Sequence, residues 1–172
     1  MKKIVAILLT LSLACAALVG CGSSASSSSS SASAAAGLPE NLEEIMDTIL
    51  GSFGEGELPE LTPAEMLDGH KYLPLNADNG EAYVGTTAFI DGIAADAAIN
   101  VVPFSVCLLR AENAEKAAAL ATEVEQKADP RKWICAAAET KMVATVDDMV
   151  LLVMTEKATA EKIVANFEAL KK

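Results

Sequence analysis

A single histidine, His70, must serve every mechanism that needs an imidazole. It sits in the polar stretch GHKYLP, and no G-x-S-x-G elbow occurs anywhere, so Ser/His/Asp and Cys/His hydrolase arrangements have nothing to build on. Zinc sites draw on several Cys or His ligands, and no CxxC pair is present. Phosphate cradles of the GxxxxGK[ST] or GxGxxG type are missing. The seven aromatic residues mostly fit core positions, which leaves no platform for carbohydrate. No catalytic residue, metal site or cofactor is therefore expected.

Basic residues are also scarce, and unevenly so. Residues 38–96 hold 13 acids against one base, Lys71, whereas residues 97–172 hold 11 acids and 10 bases. Nucleic acids and anionic headgroups need basic patches, so neither is an expected ligand. The acidic half is read mainly as a solvated, mutually repelling surface, with a cationic partner or metal as the alternative. The segment Asn76-Ala77-Asp78-Asn79-Gly80-Glu81 hints at a calcium loop, but glycine falls fifth and Thr87 twelfth where glycine and glutamate are required, so a turn is expected instead. Asp147-Asp148 are adjacent at a hairpin tip and diverge, which suits a turn better than acid/base work.

What is present begins at the N-terminus. Lys2 and Lys3 precede a mostly apolar run, Ile4 to Leu18, too short and too interrupted for a permanent span of about 20 apolar residues. Residues 1–20 read as an export signal. Leu18-Val19-Gly20-Cys21 resembles a bacterial lipobox, and that resemblance implies lipid on the Cys21 sulfur and Cys21 as the first mature residue. Ser12-Leu13-Ala14-Cys15 is a weaker fit because it lacks the aliphatic residue. Two or more acyl chains, at about 0.8 kcal/mol per buried methylene, anchor stably where one holds marginally. The Ser/Ala-rich segment that follows, through Gly37, cannot offset its chain entropy and is expected to be a disordered tether with a reach of roughly 20–24 Å. These features place the protein on the outer face of the cell membrane, attached through Cys21.

Residues 38–172 suffice for one domain. A helix is expected over Leu38–Leu50, with Pro39 in its first turn and Gly51 at its end. Thr62-Pro63-Ala64-Glu65 fits a capping box opening a short helix that Gly69 closes. Tyr83–Ile90 reads as a strand, Asp91-Gly92 as a loop, and Val101–Arg110 as a second strand, with Pro103 at an edge or bulge. A helix follows from Asn113. Lys141–Val146 and Met149–Thr155 form a hairpin, and a last helix starts at Thr159. These make two strand-strand-helix units, 46 residues apart from Asn113 to Thr159. The simplest assembly is an α+β two-layer sandwich: an antiparallel sheet of about four strands with helices on one face, plus the N-terminal helix. Phe104, Val106 and Leu108 would face the helices; Ser105, Cys107 and Leu109 would line a second face, covered by the N-terminal helix or open for docking.

Between the units, ADPRKWICAAAE should form one helical turn after Asp129. Trp133 there is either a lid over the core or, with Arg131 and Lys132, a basic-aromatic partner contact. Cys107 and Cys135 either bridge outside the cell or pack as free thiols. The runs SVCLLR (Ser105 to Arg110) and DPRKWIC (Asp129 to Cys135), followed by a hairpin and a C-terminal helix, resemble a family of small surface lipoproteins of Gram-positive bacteria that carries a domain of unknown function. The resemblance implies an α+β domain and a lipid anchor; it brings no catalytic residues. The expected function is a non-enzymatic module for a surface protein or small ligand, with a small surface hydrolase using Glu55, Glu57 and Glu60 as the alternative.

Overall fold

The computed structural model describes residues 40–171. The signal at 1–20, Cys21, the tether through Gly37, and Pro39 lie outside the described residues. Among the described residues, no helix is long and apolar enough to cross a membrane.

The hairpin of β4 (Thr140–Val146) and β5 (Met149–Thr155) shows why this chain folds as it does. β5 reads MVLLVMT and every residue is buried, the pattern of a strand covered on both faces. It lies between β4 and β3 (Ser105–Arg110) in a five-stranded antiparallel sheet of order β1-β2-β3-β5-β4, where β1 is Leu73–Leu75 and β2 is Asp91–Asp96. The α+β class is as expected. The sheet has five strands, not four, and helices lie on both of its faces, not one.

One face carries α1 (Leu42–Leu50) and α4 (Lys157–Glu168), whose Ile45, Ile49, Ile163 and Phe167 pack on Val106, Leu108, Leu151 and Val153. The opposite face carries α2 (Gly80–Val84), α3 (Ala114–Lys127) and Trp133, which pack on Cys107, Leu109, Val150 and Leu152. The second sheet face is thus covered by α3 and the tryptophan segment; the N-terminal helix sits beside α4 instead. Alternation explains the division: Leu108 and Leu151 are paired on one face, and Cys107 and Leu152 on the other. The two strand-strand-helix units exist, but a two-fold exchanging antiparallel β3 and β5 must be perpendicular to the sheet and would keep both helices on one face. With α3 and α4 on opposite faces, the units are not symmetry copies.

Several local expectations shift, each for a visible reason. Residue Asn41, accepting the Glu43 N–H at 2.9 Å, opens α1 four residues after the expected start. Thr62 does not cap a helix; its N–H donates to the Asp96 carbonyl at 2.9 Å, pulling it against β2, and only a 3-10 turn, Ala64–Met66, follows. The expected strand Tyr83–Ile90 holds the end of α2 and a loop, and the expected loop Asp91-Gly92 is strand. Gly92 is there for contact, since a Cβ on it would sit 2.8 Å from Leu109 Cδ2 and 3.2 Å from Leu75 Cβ. Strand β3 starts after Pro103. Asn113 caps α3 as expected, through the Lys116 N–H. Helix α4 starts at Lys157, so Thr159 lies inside its first turn and is not its cap.

Candidate functional site

The last rung of the β2–β3 ladder pairs Asp96 with Ser105, and both residues belong to the α3 side of the sheet. Residues 129–139 cross above it. Asp129 Oδ1 accepts the Arg131 N–H at 2.8 Å and its carbonyl the Lys132 N–H at 3.2 Å, a single hydrogen-bonded turn that does not extend into a helix, and the Ala138 N–H donates to the Pro130 carbonyl at 2.9 Å to close the segment. This loop aims Lys132 inward. Its Nζ lies 2.8 Å from Ser105 Oγ, 3.3 Å from Asp96 Oδ2 and 4.3 Å over the Tyr83 ring. Ser105 Oγ in turn lies 3.6 Å from Cys107 Sγ. Burial first, then the Asp96 charge, pushes the Tyr83 phenol up to about 12. Burial likewise pushes the Cys107 thiol up to about 11, against the opposing pull of Lys132.

A serine hydroxyl against a lysine amine is an arrangement used for acyl transfer. Here Ser105 has no exposed surface, and the same lysine is engaged with Asp96. Nothing outside the protein can reach the hydroxyl, so the cluster is a strut that ties the tryptophan segment to the sheet.

Around that strut the surface opens into grooves of mixed polar and apolar lining. One groove of about 210 Å³ is lined by Thr62, Met66, Lys71, Tyr83, Asp96 and Asn100. A second depression, about 280 Å³, shares Tyr83, Asp96 and Asn100 and adds Lys132, Trp133 and Ile134. Large apolar side chains stand in solvent here: Met66 is 71 % exposed and Ile134 93 %, while Ile99 and Val101, at 59 % and 61 %, flank Asn100 in the β2–β3 loop.

The residues singled out by sequence fare differently. Lys132 is drawn into the strut, Trp133 is only 8 % exposed and covers the α3-side core while lining the second depression, and Arg131 is exposed. Cys107 and Cys135 are both free, the first buried in the α3-side core and the second exposed, so no bridge joins them. Thiol labelling of the native protein should modify Cys135 and leave Cys107 at least about a hundredfold slower, since a buried thiol is both hidden and protonated; mass-mapped maleimide labelling measures both, and equal rates would contradict this core. Glu57 accepts from the Gly54 N–H at 2.6 Å and Lys162 Nζ at 3.0 Å, which together hold its carboxyl below the usual range. A general acid needs the reverse shift, and neither groove joins two carboxylates. His70 is exposed. Asn76 and Asn79 spend their side-chain oxygens on the backbone N–H groups of Asp78 and Asn76, both at 2.8 Å, in a turn before α2. Asp147 takes a left-handed conformation, φ 51°, in the β4–β5 turn. Among the described residues, no group of three or more His, Cys, Asp or Glu side chains is placed to hold a metal.

The sequence assigns no site role to Asp96, Asn100 or Ile134, and it places Ser105 on the second sheet face without a partner. The signal available was INVVPF, an apolar run with a proline; reading Val101 to Phe104 as strand absorbed it. Comparison with protein-family models, curated proteins and solved structures finds no match to this chain.

Proposed function

We propose that this chain is a lipid-anchored module on the outer face of the cell membrane, held through Cys21, which binds a protein partner without performing covalent chemistry. One observation carries the binding half: Met66, Ile99, Val101 and Ile134 stand exposed around two grooves that meet at Asn100. Grouped exposed apolar side chains mark interaction surfaces. Both sheet faces are already covered, so this end of the molecule is where they gather. The grooves are open and fall just under the usual 300–1,000 Å³ of small-molecule sites, which suits a protein surface better than an enclosed ligand. The anchoring half is supported by the lipobox-like Leu18-Val19-Gly20-Cys21 and the Ser/Ala-rich segment after it, and the resemblance of SVCLLR and DPRKWIC to surface lipoproteins agrees with it. The carboxylate-hydrolase alternative has less support, because Glu57 is committed to Lys162.

Crosslinking capture from membranes tests the binding end. Ile134→Glu combined with Val101→Glu should reduce partner recovery at least about tenfold, since both side chains are exposed and their replacement leaves the fold intact. Equal recovery by variant and wild type rejects the surface. For the anchor, Cys21→Ser should release the protein into the medium, and retention at the membrane rejects lipidation there.

A further inference from the structure

The two outer strands of the sheet are protected unequally. β1 is three residues long with Pro74 at its centre. Beside it the chain continues along β2, with the Thr62 N–H donating to Asp96 and the Ala98 N–H to Glu60. A short, proline-bearing edge of this kind resists addition of another strand. β4 is different. It runs seven residues, TKMVATV, without proline, and no described strand pairs with its outer side. Its one charge, Lys141, is turned onto the carbonyls of Glu125 and Ala128 at the end of α3. In a hairpin with a two-residue turn the closing pair, Val146 and Met149, exchanges the backbone hydrogen bonds. Alternation from that pair points the N–H and C=O groups of Lys141, Val143 and Thr145 away from β5. Beside this edge Val143, Ala121, Thr122, Glu125 and Gln126 line a shallow recess of about 380 Å³.

We infer that β4 pairs with β4 of a second copy of this chain, antiparallel and centred on Val143. The register is self-complementary: Val143 faces Val143, Lys141 faces Thr145, and Met142 faces Ala144, so no like charges meet. A two-fold perpendicular to the sheet sets α3 beside α3 and turns each recess toward its mate. Charge favours a second copy at this edge. The chain's acid excess lies in residues 38–96, whereas β4 contains no acid and belongs to the nearly balanced half, residues 97–172; the acid beside the edge is Glu125, on α3 and not on the paired strand. The result is a continuous ten-stranded sheet, with the Asn100 ends free for other partners.

Sedimentation velocity of the full-length chain in a non-ionic detergent, over about 1–100 μM, tests the pairing. Thr145 is exposed, so its variants keep the fold. Thr145→Lys places a lysine opposite Lys141 at both symmetric positions and should weaken the dimer about tenfold. Thr145→Glu places an opposite charge there and should leave the dimer intact or tighten it. Monomers at every concentration overturn the inference. So does any other order of the variants, including an equal response to lysine and glutamate, which would indicate association through another surface or the micelle.

Discussion

Leu152→Ala should lower the unfolding free energy by about 2–5 kcal/mol, and Phe167→Ala by about 3–5 kcal/mol, in denaturant titrations. Both side chains are completely buried, on opposite faces of the sheet: Leu152 under α3 and Trp133, Phe167 between α4 and the strands. Each truncation loses the transfer free energy of the removed atoms and leaves a cavity that close-packed neighbours fill only in part. The comparison matters more than either value. In a two-layer sandwich the Leu152 face would meet solvent, and truncation there would change stability by less than about 0.5 kcal/mol. A large cost at Phe167 with a negligible one at Leu152 would remove the α3 layer from this account. Phe167→Ala tests the layer that α1 shares, because α1 and α4 enclose one core.

A second large effect is expected at the strut. Lys132→Ala should cost about 2–3 kcal/mol, because it strips the partner from two groups at once. The Asp96 carboxylate, 21 % exposed, would lose its cation, and the buried Ser105 hydroxyl its 2.8 Å donor. The Lys132 ammonium also lies 4.3 Å from the centre of the Tyr83 ring and 5.2 Å from that of Trp133, so the lid loosens when it goes. Trp133 is the sole tryptophan, and its fluorescence should move to the red without global unfolding. Replacing both members, Lys132→Met with Asp96→Asn, should recover part of the loss, since no uncompensated charge is then left behind. If Lys132→Ala changes neither stability nor fluorescence, the lysine is a surface residue and the segment is held by Trp133 alone.

The strut was out of reach of sequence reading for a geometric reason. Asp96, Ser105 and Lys132 lie 9 and 27 positions apart along the chain and meet only because β2 and β3 are paired and the 129–139 loop closes over them. The runs DPRKWIC and SVCLLR stand out in the sequence, but nothing in either says that Lys132 bonds Ser105. The same limit accounts for the misplaced first hairpin. Gly92 reads as a turn by composition, and only the approach of Leu109 and Leu75 shows that it belongs in a strand.

Local signals alone determined a good deal. The β4–β5 hairpin across Asp147-Asp148, the start of α3 at Asn113, the buried stripe of α1 and the α+β class follow from periodicity, caps and turn residues, which act over a few positions. Tertiary structure decided which face each helix covers, that β5 is enclosed on both sides, that Trp133 faces inward, and that Ile134 beside it does not. Alternation says that neighbouring strand residues point oppositely; it does not say what lies on either side. That depends on contacts between residues far apart in the chain, and those exist only once the sheet has formed.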